Sequence, residues 1–290
     1  MGKNNKYWIW FSRINCLSNT QKQGLLEKYN SPEKIMNLSA DELKLINYID
    51  DKCVTEILNK KYKMNLEEYE DYMVKNDINV ITVLDKEYPD KLKNIYDKPT
   101  ILFVKGNIEL LNKKSVAIVG CRDCSEYGKK VSHNLAYNLA QQNICIISGL
   151  AKGIDMYSHI GALESNGGTI AVVGNGLDNV YPYENKRLYE RIIEKNGLIV
   201  TEYVIGTKPN KINFPARNRI ISALSDAIVV VEAKEKSGSL ITADFGLEHG
   251  KEVLAVPGNI YSKNSIGTND LIKQGACPVT CYRDVLELIK

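Results

Sequence analysis

Three turns in this 290-residue chain set cations beside glycine or serine, and a fourth gathers cations around an aromatic ring. Gly120 and Arg122 follow the apolar run Ser115–Val119. Ser148, Gly149, Lys152 and Gly153 follow the run 144–147. The stretch KINFPARNR follows Leu198–Thr201 and holds Lys211, Phe214, Arg217, Asn218 and Arg219. Lys236, Ser237, Gly238 and Ser239 follow the run 227–232. Glycine lets an anion reach backbone N–H groups, helix N-termini add positive partial charge, and serine hydroxyls donate. Phe214 among these cations gives phosphate neutralisation beside a ring face on which a base stacks, the combination a nucleic-acid single strand needs.

The groups that would cleave a bound phosphate are missing. No G-x-G-x-x-G follows the first strand, and Gly174-Asn175-Gly176 begins such a pattern but lacks its third glycine. There is no Walker A sequence and no G-x-S-x-G elbow. His133, His159 and His249 are scattered and make no zinc spacing. The site is therefore expected to hold phosphates with no catalytic residue, metal or cofactor. Structural roles compete for the same residues. Arg217 or Arg219 would pair with Asp226, Asp244 or Glu232 if buried. Phe214 would serve equally as core, and Asp155 would cap the helix that follows its glycine turn.

The elements that must position these turns alternate. From residue 115 onward, strand, glycine turn and helix recur: helices over 126–142, 154–165, 184–195, 216–224 and 237–249, and strands over 144–147, 169–173, 198–201, 227–232, 252–256 and 278–280, with a last helix over 283–289. This is a doubly wound α/β pattern with a mostly parallel sheet, and in such sheets ligands bind outside the carboxyl ends of the strands. The near-continuous β-branched run at 227–232 fits a strand buried on both faces. The segment 76–112 carries two β-rich runs, 80–84 and 100–104, as an edge or connecting unit. Residues 1–75 read as a small all-α domain without a long core, with helix starts at Ser31-Pro32 and at Ser39, where Glu42 has capping-box spacing. The expected domains are thus 1–75 and 76–290.

Composition sets the outer limits. The net charge of +3 excludes a strongly basic protein, so any nucleic-acid site arises by local clustering. No apolar run reaches membrane-spanning length, and the start of the chain does not read as a signal peptide. Seven cysteines, an odd number without an export signal, are expected as free thiols in a cytoplasmic protein. Cys121 and Cys124 form a C-x-x-C pair without a second metal-spaced pair and read as small residues in a tight turn.

The motifs IVGCR, SGLAKGID, GNGLDNVYP, FPARNRIIS, VVEAKEKSGSLITA and AVPGN, in this order, resemble the DprA/Smf family of DNA-processing proteins. VITVLDKEYPDKL and PTILFVKGN also look like that family, so the resemblance covers about residues 76–280. It implies an extended Rossmann-like domain without a dinucleotide, binding of single-stranded DNA, loading of the RecA recombinase during natural transformation, and a homodimer formed through this domain. By motif match, Arg122, Lys211, Phe214, Arg217 and Arg219 would touch DNA, and Ser148, Gly149 and residues 236–239 would line the same groove. The N-terminal helices would resemble a SAM or helix-hairpin-helix module, although CLSNTQKQGLLEKY lacks the usual glycine hairpin. The winged-helix domain that many relatives carry at their C-terminus is not expected here. A hydrolase of the lysine-decarboxylase-like phosphoribohydrolase type shares the fold. Its G-G-x-G-T-x-x-E turn would need a glutamate where Thr242 stands.

Overall fold

The computed structural model describes residues 5–59 and 66–289. Among these residues nine strands form a single sheet in the order β1-β2-β6-β5-β4-β3-β7-β8-β9. They are β1 (Asn79–Thr82), β2 (Ile101–Gly106), β3 (Ser115–Val119), β4 (Cys145–Ser148), β5 (Thr169–Val172), β6 (Leu198–Thr201), β7 (Ala227–Val230), β8 (Glu252–Ala255) and β9 (Cys277–Pro278). Neighbours from β6 through β9 run parallel, whereas β1 pairs antiparallel with β2 and β2 with β6. The edge unit expected at 76–112 is thus an antiparallel extension of a parallel sheet. The chain winds outward from β3 to β6 and returns to β7 on the other side of β3. The carboxyl ends of β3 and β7 therefore flank the point where the winding reverses, where a crevice opens in such sheets.

Both faces are covered, and the strands alternate between them. Ala117, Val119, Ile228 and Val230 face a core shared with α11 (Asn213–Leu224), α12 (Gly238–Glu248) and α13 (Ile266–Lys273). Val116, Ile118, Ala227 and Val229 face a core shared with α8 (Glu126–Gln141), α9 (Ile154–Leu163) and α14 (Tyr282–Leu288). Strands buried on both faces need apolar residues at every position, which is why their sequence shows no polar alternation.

The N-terminal helices among the described residues are α1 (Asn5–Ser12), α2 (Asn19–Tyr29), α3 (Pro32–Met36), α4 (Ala40–Lys44), α5 (Asp51–Leu58) and α6 (Leu66–Lys75), and the short α7 (Asp90–Lys93) lies between β1 and β2. Ser18 and Ser39 each close a capping box, with Gln21 and Glu42 reaching back. The sequence suggested no long core for this segment. Its Trp8, Ile9, Trp10, Phe11 and Leu25 in fact form one cluster with Phe103 and Ile199 of the sheet and Ile192 of α10 (Lys186–Glu194). Two hydrogen bonds reinforce the docking: Asn19 Nδ2 donates to Glu202 Oε2 and Gln23 Nε2 to the Lys98 carbonyl.

Two expectations are corrected. Free thiols were expected throughout, but Cys16 and Cys53 are joined as a disulfide, their Cα atoms 5.5 Å apart. The pair bridges the loop before α2 to α5, and a partner 37 residues away leaves no local sequence signal. Cys121, Cys124, Cys145, Cys277 and Cys281 are free. The helix expected from residue 216 begins at Asn213, so Phe214 and Pro215 belong to its first turn, where proline's missing N–H costs nothing. That change moves Phe214 from a loop onto a helix terminus.

Candidate nucleic-acid interface

At the reversal point the structure opens a cleft of about 480 Å³ between the turns after β3 and β7 and the start of α11. Arg122, Lys211, Phe214, Arg217, Asn218 and the turn 236–239 all line it, as does Thr242, which is buried. A smaller compartment of about 260 Å³ adjoins it and shares Arg122, Ala151, Tyr181, Phe214 and Arg217 with it. It adds Gly149, Lys152 and Pro182.

The floor is built first. Gly153 sits at φ +77°, and a Cβ there would lie 2.3 Å from the Cys121 carbonyl oxygen and 2.4 Å from that of Arg122. Only glycine allows the β4 turn to pass this close beneath the β3 turn. Asp155, in the first turn of α9, then reaches back to accept the N–H groups of Gly149 (3.1 Å) and Ala151 (3.3 Å). Burial pushes its carboxyl up, against the pull of the Arg217 guanidinium and these amides. Asp155 therefore organises the loop from inside.

Arg217 is also part of the frame. Its Nη1 donates to the carbonyls of Gly149 (2.8 Å) and Val172, tying the ends of β4 and β5 together. Gly149 lies so close to the guanidinium that a Cβ would meet its Nη2 at 2.7 Å. Burial lowers the Arg217 pKa to about 10, which leaves it a cation at neutral pH.

Arg122, which is exposed, and Phe214, which is half-buried, are the solvent-facing counterpart. The Arg122 guanidinium lies 5.6 Å from the centre of the Phe214 ring, within cation–π range. Gly174 keeps the space beneath the ring free, since a Cβ there would lie 2.9 Å from Phe214 Cδ1. Among the described residues Arg122, Lys211 and Lys236 enter no ion pair, whereas Lys234 pairs with Asp123 and Lys152 with Glu184. Ser237 caps α12 by accepting from the Ser239 N–H, and the two hydroxyls lie 2.8 Å apart, so that helix N-terminus opens on the cleft.

Two residues picked from sequence stand elsewhere. Ser148 is fully buried and donates to the Ile118 carbonyl, bracing β3 against β4. Arg219 turns away from the cleft. It pairs with Glu202 through both Nη atoms (2.6 and 2.7 Å), and its Nε lies 2.7 Å from Asp97. Of the residues weighed from sequence as partners for an arginine, Asp226 holds Lys91, Glu232 accepts from Ser125 and Asn264, and Asp244 is exposed. Sequence reasoning also passed over Tyr181. Its ring stacks on Phe214 with centroids 5.3 Å apart and planes at 27°. The signal was present in the quoted GNGLDNVYP, but a tyrosine in a loop has no spacing that marks it. Among the described residues no His, Cys, Asp or Glu cluster fits a metal ion.

A family model described as DNA recombination-mediator protein A matches residues 79–290. This chain belongs to that family. The DNA processing protein DprA of Streptococcus pneumoniae is 47% identical over 205 residues, spanning 71% of this chain and 72% of that protein. DprA of Bacillus subtilis is 44% identical over 211 residues, spanning 72% and 71%. Among solved structures, that of S. pneumoniae DprA matches with a TM-score of 0.79 at 38% identity over 97% of both chains. The likeness therefore includes the N-terminal helices as well as the sheet. DNA processing protein A of Helicobacter pylori, solved for its single-stranded DNA binding mode, matches with a TM-score of 0.65 at 31% identity, over 72% of this chain and 94% of that one. The family is one of recombination mediators rather than enzymes, in keeping with Thr242 where the hydrolases need a glutamate. Among the described residues no helix is long and apolar enough to cross a membrane.

Proposed function

We propose that the cleft at the β3/β7 reversal binds single-stranded DNA and that the protein mediates recombination by presenting that strand. The observation that carries this reading is the exposed Arg122 guanidinium against the Phe214 ring, at the mouth of a cleft whose other free cations are Lys211 and Lys236. Phosphates bind Arg122, Lys211, Lys236 and the α12 N-terminus, with Asn218 and the Ser237 and Ser239 hydroxyls as further donors. A base stacks on Phe214. Duplex DNA keeps its bases inside and cannot use that ring, so the site favours single strands. Gly149, Arg217 and Ser148 shape the floor, Lys152 borders the smaller compartment, and Arg219 supports the helix from behind. The H. pylori relative, described as binding single-stranded DNA, supports this chemistry.

From the family resemblance the reading extends to a homodimer that loads RecA onto the held strand during natural transformation, in the cytoplasm. The first test is fluorescence anisotropy of labelled oligo-dT and its duplex across a salt series. Preference for the single strand is expected, with log K falling by about 0.7 per phosphate contact for each decade of salt. Arg122→Glu and Lys211→Glu should each weaken binding at least about tenfold and flatten the salt slope. Equal binding of single strand and duplex, or unchanged affinity in both variants, overturns the site. RecA filament formation on the bound oligonucleotide and sedimentation mass test the two partners.

A further inference from the structure

The two compartments of the cleft differ in what they offer a ligand. The larger one carries the unpaired cations Lys211 and Lys236 and the N-terminus of α12. The smaller one is lined by the rings of Tyr181, Pro182 and Phe214 with Ala151 beside them, of which Tyr181, Phe214 and Ala151 also border the larger one. Its polar groups are largely committed. Arg217 Nη1 is spent on the Gly149 and Val172 carbonyls, and its Nε on Asn218. Lys152 is paired with Glu184. The Gly149 and Ala151 N–H groups are held by Asp155, and the Leu150 and Ala151 carbonyls accept from Asn185 Nδ2. Arg122 at the shared border is the cation left free there, so a phosphate finds less to neutralise it than beside Lys211 and Lys236, whereas a weakly polar base finds the rings of Tyr181, Pro182 and Phe214.

From this division we propose, resting on the reading of the cleft as a single-strand site, that the smaller compartment is a nucleobase subsite with Tyr181 as its second stacking residue. At about 260 Å³ it falls below the roughly 300–1,000 Å³ typical of sites for drug-sized ligands and suits one base rather than a whole nucleotide. Arg122 and Phe214 border both compartments. The strand thus lays its phosphates in the larger one and turns a base across Phe214 into the smaller one. Tyr181 is 40% exposed although it stacks on Phe214, so part of its ring remains open to a ligand. With the edge-reading groups committed, the subsite accepts any base. This makes binding tolerant of sequence while still requiring a base to be present.

The test is a thermodynamic cycle between ligand and protein, in which contacting groups give non-additive effects. Anisotropy is measured with oligo-dT and with the same oligonucleotide carrying abasic sites, for the wild-type protein, Tyr181→Leu and Tyr181→Phe, across salt. In the wild type, abasic substitution is expected to weaken binding by about tenfold or more. In Tyr181→Leu that penalty should shrink severalfold, with the salt slope unchanged. Tyr181→Phe, which keeps the ring, should restore it. Thermal melts show that the variants compared are folded, and Tyr181→Phe provides a conservative variant if the leucine form is unstable. An abasic penalty identical in Tyr181→Leu and wild type overturns the subsite while leaving the cleft intact. A salt slope that flattens in Tyr181→Leu also overturns it, because the residue would then act on phosphate contacts. Absence of oligo-dT binding by the wild type is a separate result and overturns the reading of the whole cleft.

Discussion

Arg217 and Arg219 stand two positions apart near the start of α11, about 200° around the helix, so their side chains enter different surroundings. Arg217 points to the strand ends and fastens them through carbonyls. Arg219 points to the back and meets Glu202 and Asp97 with 3% of its side chain exposed. The carboxylates hold the Arg219 guanidinium more firmly protonated than usual despite its burial. Removing one partner of such a pair strands the other charge, at a cost of about 3–5 kcal/mol. Arg219→Ala should therefore lower unfolding free energy by about that amount in urea titrations, while the affinity of the folded protein for oligo-dT changes little. A large loss of affinity without a loss of stability would place Arg219 in the interface instead. Both arginines were visible in the sequence, and the need for a carboxylate partner was foreseen. The partner was not, because Glu202 lies at the end of β6, and only pairing between distant segments brings it to α11.

At the scale of elements, the cleft depends on turns whose backbone geometry is legible as glycine but whose neighbours are not. Gly153 was recognisable as part of a glycine turn after an apolar strand. That it must pass within van der Waals contact of the 121–122 carbonyls follows only from the β3–β4 pairing. Gly153→Ala combines a positive φ, which costs about 1–3 kcal/mol for a non-glycine residue, with contact against backbone that cannot move aside. Thermal melts should fall by several degrees, and oligonucleotide affinity should fall with them, since the loop carrying Arg122 must shift. The N-terminus of α12 gives a gentler test. Ser237→Ala removes the cap and should cost about 1 kcal/mol of stability by urea titration. The bounds of the parallel strands were legible to within a residue or two from their apolar runs. The N-terminus of α11 was not, because Pro215 reads as a breaker unless it is known to lie in the first turn.

At the scale of the molecule, a buried histidine couples the whole fold to pH. His159 of α9 is fully buried, with Nδ1 2.7 Å from Thr169 Oγ1. That hydroxyl donates its own proton to the Ile146 carbonyl, so Nδ1 carries the ring proton and Nε2 is left without a partner. Burial, with Arg217 adding to it, lowers the His159 pKa to about 3. An unfolded histidine titrates near 6.5. Between about pH 6.5 and 3 the unfolded chain therefore binds a proton that the folded one refuses, and stability must fall as pH falls through this window. The contribution is complete above about pH 6.5. The loss approaches about 1.4 kcal/mol per pH unit well inside the window. Urea titrations at pH 7 and pH 5 should show this decrease, and His159→Gln should reduce the difference between them. An undiminished difference in that variant would assign the acid sensitivity to other groups.

Much was decided by the residue order alone. Six apolar strands in alternation with helices dictate a doubly wound sheet, because each such strand must be covered on both faces. Once the sheet is parallel, every cation-bearing turn must emerge at one edge, so the location of the cleft and most of its wall were fixed by local sequence. The tertiary structure decided which of those residues face a ligand. Burial and pairing drew Ser148 and Arg219 inward and made Arg217 a brace. They left Arg122, Lys211 and Lys236 free, and they brought Tyr181 from a separate loop onto Phe214. They also joined Cys16 to Cys53 and merged the N-terminal helices with one end of the sheet. Such outcomes depend on distances between segments far apart in the chain. Periodicity and turn chemistry act over a few residues and carry no information about those distances.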